Sequence, residues 1–204
     1  MGVNDLVNSL LSLGLVGVFS ITLLEKFVPV VPSYVLLLLL GMTAPDWPTL
    51  ALIIMVTALG SLGGSIGWFA IGRFLGERRV ETAIARFGRY VFFPIGTYRR
   101  LADSYRRNRF KVTLLGQTVP VARVYLGLPA GVLRLATGSF VPAALLGILL
   151  WNIPFVTLGF VLRNSGHAPA DIGLVTSVIL IATEIFVFVL IPAVRRLHSN
   201  RITS

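Results

Sequence analysis

The feature that most constrains this chain is a set of long stretches without a single charge. Leu6 to Leu24 holds 19 such residues, and a helix of that length reaches about 29 Å, the thickness of a bilayer's hydrocarbon core. Leu50 to Gly72 and Leu135 to Leu162 are two further runs, and Ile172 to Val194 is a fourth, interrupted only by Glu184. The pattern predicts an all-α membrane protein, one membrane domain over 1–204, with spans at 6–24, 50–72, 135–162 and 172–194. Composition agrees: 55% of residues are hydrophobic and 13% charged, about half the charge of an ordinary soluble chain. No cysteine is present, which excludes disulfides, thiolate nucleophiles and Cys-ligated metals. Only His167 and His198 could supply imidazole, so no metal and no cofactor is expected. Asp5, with no basic residue before Lys26, is the wrong charge for a signal-peptide start, and no cleaved leader is expected.

Two apolar stretches are not comfortable spans. Phe27 to Met42 carries Pro29 and Pro32 near its start, and Val112 to Gly131 carries Pro120, Pro129 and the charge of Arg123. Proline removes a backbone donor, and a broken ladder at membrane depth survives only where protein or a water-filled cavity covers it. Both segments, 27–42 and 112–131, therefore read as re-entrant hairpins. Between Arg73 and Lys111 stand 11 basic residues against Glu77, Glu81 and Asp103, which places that segment in the cytoplasm. The tail with Arg195, Arg196 and Arg201 belongs on the same side, and the connections 43–49 and 163–171 face outward. Four spans plus two hairpins satisfy every assignment.

The basic segment, 73–111, has Val80, Ile84, Phe87 and Val91 at helical spacing and Leu101 one turn before Tyr105. It reads as an amphipathic helix on the inner leaflet, acting either to capture anionic lipid or only to fix topology. Membrane is the cheaper partner for so basic a stretch, and no nucleic-acid partner is expected. Gly60 with Gly64 and Gly63 with Gly67 form a small-residue stripe that admits another helix closely, within one chain or in a homo-oligomer. A faint repeat lays 28–34 over 119–125, each followed by a glycine, Gly41 or Gly131, and then by a span with Trp68 or Trp151. Such a repeat implies hairpins entering from opposite faces, with a site near the midplane.

Few residues can carry chemistry. Arg123 within a hairpin is a costly intramembrane charge, and the functional reading is a guanidinium that receives a phosphate or another anion. Its rival is a structural pair with Glu25 or snorkelling to the cytoplasmic face. Glu25 is a proton-carrying carboxylate, the counter-ion of Arg123, or half of an interfacial pair with Lys26. Glu184, alone in the last span, is a protonatable carboxylate or a hydrogen-bonded structural one. Gln117, Ser33, Tyr34 and Tyr125 are neutral groups that line a site or satisfy broken backbone. Asp46-Trp47-Pro48 reads as a turn with an interfacial aromatic anchor.

These residues carry a resemblance. Glu25, Pro29, Pro32 and Ser33 leading to Gly41, then Gly116, Pro120 and Arg123 with Pro129-Ala130-Gly131 and Phe140, then Trp151 and Gly159, resemble the DedA family of bacterial membrane proteins, the VTT-domain group. The resemblance covers roughly Leu24 to Leu162. It implies opposed re-entrant hairpins around a lipid-headgroup site, and proton-linked transport of undecaprenyl phosphate or a phospholipid between leaflets of the bacterial inner membrane. It carries over Glu25 and Arg123 as site residues, with Pro29, Pro32, Pro120, Pro129 and Gly131 shaping the hairpins. Two positions depart from it. Tyr34 stands where the family has an acid, and Gln117 where it has an arginine, so one charge of each sign is missing together, as expected of a pair. A non-enzymatic flippase or scramblase is thus the expectation; the competing readings are a proton-coupled small-ion transporter and a non-transporting scaffold that recruits anionic lipid. No nucleophile–base set marks an enzyme.

Overall fold

The structure is a computed structural model and describes residues 14–28, 32–88, 95–117 and 120–163, apart from the side chains of Phe87, Arg107, Pro120, Val121 and Ala122. Residues 6–13, Pro29, His167, the stretch 172–194 with Glu184, and the basic tail lie outside the described residues. The described residues form eight helices and no strand: α1 Leu15–Leu24, α2 Ser33–Met42, α3 Trp47–Phe87, α4 Ile95–Arg107, α5 Arg109–Gly116, α6 Pro120–Tyr125, α7 Gly127–Val132 and α8 Thr137–Leu162.

Two of them, α3 and α8, are long and apolar enough to cross a membrane. Helix α3 starts where the sequence supplies a cap: the Thr49 amide donates to Asp46 Oδ1 at 2.8 Å, and Pro48 occupies the first turn, where its missing N–H costs nothing. Its path breaks at Gly76, whose φ of 71° and ψ of 174° belong to a region open essentially to glycine alone. The break falls just past Arg73, where the charge-free run ends, so the apolar piece and the basic piece of α3 take separate directions. Helices α3 and α8 pack antiparallel. Phe69 stacks on Phe140 with centroids 4.8 Å apart, and Thr57 accepts from Asn152 at 3.3 Å, so position rises along one helix as it falls along the other.

Glycines set how closely the short helices approach these two. A Cβ at Gly60 would collide with Thr22 and the Phe19 carbonyl, one at Gly64 with the Lys26 stem, and one at Gly67 with the Phe27 ring. The contact partners advance together, so α1 lies alongside α3 in the same direction. The glycine stripe thus serves packing within the chain. In the same way Gly127 meets Ser65 O and Gly131 meets Phe69 O, so α7 also runs parallel to α3. Van der Waals approach of backbones is what holds helices together where lipid removes the hydrophobic drive.

The glycine contacts recur in both halves of the chain. Gly60 on α3 abuts Phe19 O and Thr22; Gly147 on α8 abuts Leu114 O and Gln117. Gly41 meets Val156 O while Gly159 meets Leu38 O; correspondingly, Gly131 meets Phe69 O while Gly72 meets Leu128 O. In each half a first arm rests on its own long helix, and the second arm, α2 or α7, is clamped to the long helix of the other half. This arrangement shifts one sequence-level equivalence. The glycine contacts match Trp68 to Phe155 rather than to Trp151. They also run α1 parallel to α3, so α1 and α2 stand as the two arms of one helical hairpin.

The basic segment does not lie apart from this frame. Val80, Ile84 and Tyr98 are buried together with Val124, Tyr125 and Leu128 of the second hairpin, and the fully buried Tyr105 donates to Leu126 O at 3.2 Å. These apolar residues pack on the protein, and the segment's described arginine side chains are exposed. Arg99 pairs with Glu81 at 3.3 Å, an exposed bridge of about 0–1 kcal/mol.

Candidate functional site at the hairpin tips

The tips of the two hairpins meet. Phe27 stacks on Trp68 at 5.6 Å, Tyr125 sets its edge against the same indole at 5.7 Å, and Trp68 Nε1 donates to Lys26 O at 2.6 Å. Trp68 therefore ties the end of α1 to α6. On the other side Arg123 places its guanidinium 5.0 Å from the centroid of Trp151, a cation–π contact. Trp151 leads on through Phe155 to Tyr34 of α2, with centroids at 4.9 and 6.1 Å.

Within this aromatic frame sits a buried polar group set. Arg123 is 1% exposed, Lys26 and Gln117 are fully buried, and Glu25 is 7% exposed. Glu25 accepts from Ser33 Oγ through one carboxylate oxygen; its other oxygen has no hydrogen-bond partner among the described residues. The same holds for all three guanidinium nitrogens of Arg123, both side-chain polar atoms of Gln117, and Trp151 Nε1. Lys26 Nζ makes one long contact, 3.5 Å to Arg123 O. Among the described residues, neither Glu25–Arg123 nor Glu25–Lys26 is an ion pair, because the carboxylate is turned to Ser33. Buried donors without partners cost free energy and mark either a ligand position or a functional compromise.

The structure brings together Glu25, Ser33 and Arg123, with Tyr125 and Tyr34 in the surrounding aromatic frame. Gln117 packs on Gly147, one turn from Trp151 on α8. Pro32 stands before the first turn of α2, Pro120 opens α6, and Pro129 and Gly131 lie buried in α7. At the level of sequence Lys26 stands only as an interfacial ion-pair partner of Glu25, and Trp151 only as a marker of the repeat and of the family resemblance. The signal for Lys26 was available: it is one of two lysines and lies between a charge-free run and a proline-broken one. No group of three or more His, Cys, Asp or Glu that could hold a metal is gathered among the described residues.

Comparison with known proteins now places the chain. The VTT domain family matches residues 31–161. The chain belongs to the VTT domain family, the DedA family. The match opens at residue 31, just past Glu25 and Lys26. The chain is similar to Undecaprenyl phosphate transporter A of Staphylococcus aureus (strain NCTC 8325 / PS 47), 27% identical over 153 residues that cover 74% of this chain and 75% of that one. It is 26% identical to the Alkaline phosphatase-like protein of Lactococcus lactis subsp. cremoris (strain MG1363), over 78% of this chain and 75% of that one. It is 25% identical to the Uncharacterized membrane protein YkoX of Bacillus subtilis (strain 168), over 79% and 70%. No solved structure matches.

Proposed function

We propose that this VTT-domain protein is an integral protein of the bacterial cytoplasmic membrane that carries a phosphate-bearing lipid headgroup between leaflets, the lipid tails staying in the bilayer. The carrying observation is the buried Arg123 guanidinium, held over Trp151 with three donor nitrogens that find no hydrogen-bond partner among the described residues, at the meeting of two hairpin tips. A planar fork of donors suits a phosphate's paired oxygens. In this reading Glu25 discharges the guanidinium once the anion leaves, and its protonation couples that step to the proton gradient. The relative named for undecaprenyl phosphate transport favours a lipid phosphate as cargo.

In this reading the hairpins are re-entrant and open to opposite faces, the first reaching back to Leu15. The spans are the apolar part of α3, α8 and 172–194 with its protonatable Glu184. The basic segment and the tail are cytoplasmic. Gln117, Ser33, Tyr34 and Tyr125 line the headgroup path.

Reconstituted into liposomes, the protein should exchange labelled undecaprenyl phosphate between leaflets, and Arg123→Gln should lower the rate at least tenfold in folded protein. A pH gradient should change the wild-type rate, and Glu25→Gln should remove that dependence. Full activity in Arg123→Gln would sink the mechanism; phosphate released from the lipid would instead make the protein a hydrolase.

A further inference from the structure

Two buried cations, Arg123 and Lys26, stand where the hairpin tips meet. Lys26 is fully buried, yet its ammonium, with three protons to donate, has among the described residues a single hydrogen bond, at the outer limit of that interaction. Its backbone is pinned by the Trp68 bond, and Gly64 closes against Cβ and Cγ, so the stem leaves α1 from a fixed place. Lys26 comes from the first hairpin and Arg123 from the second. Beside these two charges the described residues place one buried carboxylate, Glu25, and it is engaged by Ser33. Two buried cations are thus matched by one anion, which leaves a formal charge of +1, or +2 when Glu25 holds a proton. Buried charge in that state calls for an anion.

We propose that Lys26 is a second headgroup-binding cation and that the pair selects a phosphomonoester over a phosphodiester; this rests on the reading of Arg123 as the anion receptor. A monoester offers three non-bridging oxygens and up to two charges. The Arg123 fork takes two oxygens, and the third, with the second charge, falls to the compact ammonium of Lys26. A diester has only two such oxygens and one charge, so it leaves Lys26 without a partner. A monoester spanning both cations also bridges the two hairpins.

The test uses the full chain in liposomes with labelled phosphatidic acid, a monoester, and labelled phosphatidylglycerol, a diester, on identical acyl chains. Wild type should exchange phosphatidic acid roughly tenfold faster. Lys26→Gln should bring the two rates together chiefly by slowing phosphatidic acid, and Lys26→Arg should restore the preference. Equal wild-type rates, a preference that survives in Lys26→Gln, or a loss of both lipids in a Lys26→Gln protein that melts like wild type would each overturn the proposal. If Lys26→Gln does not fold, the wild-type ratio decides alone. Wild-type exchange in Arg123→Gln, with selectivity still lost in Lys26→Gln, would overturn the reading of Arg123 and leave Lys26 as the receptor.

Discussion

The first hairpin, α1 with α2, and the second, α5 to α7, are clamped by matching glycine-to-carbonyl contacts but carry different chemistry at their tips. In the first, Gly41 and Gly159 lock α2 to α8; in the second, Gly131 and Gly72 lock α7 to α3. The first tip contributes an acid already engaged by Ser33 and a buried lysine. The second contributes Arg123 and Gln117, none of whose side-chain polar atoms finds a hydrogen-bond partner among the described residues. Close packing of backbones is therefore common to both halves and independent of the charges between them. The frame can hold unsatisfied donors because its stability comes from elsewhere.

That comparison breaks first at the clamps. Gly41→Ala and Gly131→Ala should each destabilise by about 1–3 kcal/mol or more, because the obstructing atom is a helix carbonyl that cannot swing away. Gly96→Ala and Gly138→Ala, where a Cβ meets nothing, should instead gain up to about 1 kcal/mol in helix propensity. Thermal melts in detergent decide, and a Gly131→Ala protein that melts like wild type would show that the clamp carries no weight. The difference between the tips sharpens at Gln117. Gln117→Leu removes two buried unsatisfied groups and should raise the melting temperature, by about 1–3 kcal/mol in stability, while slowing lipid exchange. Equal exchange would remove Gln117 from the site and leave it as a packing residue on Gly147.

Smaller effects distinguish the ends of the frame. Burial, aided by Glu77 and Glu81, pushes the Tyr98 phenol up to about 12. The neutral form is thus favoured in the folded protein, so this contribution is whole below pH 10, the ordinary value, and is lost as pH rises from 10 to 12. Tyr98→Phe should flatten the alkaline limb of a stability–pH curve. At the opposite end the Thr49 bonds hold the Asp46 carboxyl below its ordinary value. Its capping contribution is present above pH 3.8 and fades as pH falls through the folded value, so Asp46→Asn should slightly weaken the acid dependence of the melt.

Much of the frame was legible in the chain. The charge-free run at 50–72 falls within α3, the run at 135–162 becomes α8 from Thr137 on, and prolines with Arg123 flagged the segment that became α5 to α7. Arg123 and Glu25 were legible because a charge inside an apolar run is expensive and hence conspicuous. Ser33 as the partner of Glu25 was not, since eight residues of separation across a turn carry no periodic signal. Trp151 beneath the guanidinium was equally hidden, because an aromatic in an apolar helix looks like packing until its neighbours are known.

The sequence by itself determined which stretches are apolar enough for a bilayer, where proline interrupts them and which segment carries the positive charge, because hydropathy, proline and charge act through local backbone and solvent free energies. Only the tertiary structure decided that α1 runs with α3, that Trp68 corresponds to Phe155, and that Lys26 stands beside Arg123. Those relations depend on which backbones approach closely enough to touch, a property of pairs of distant residues that no single stretch of chain contains.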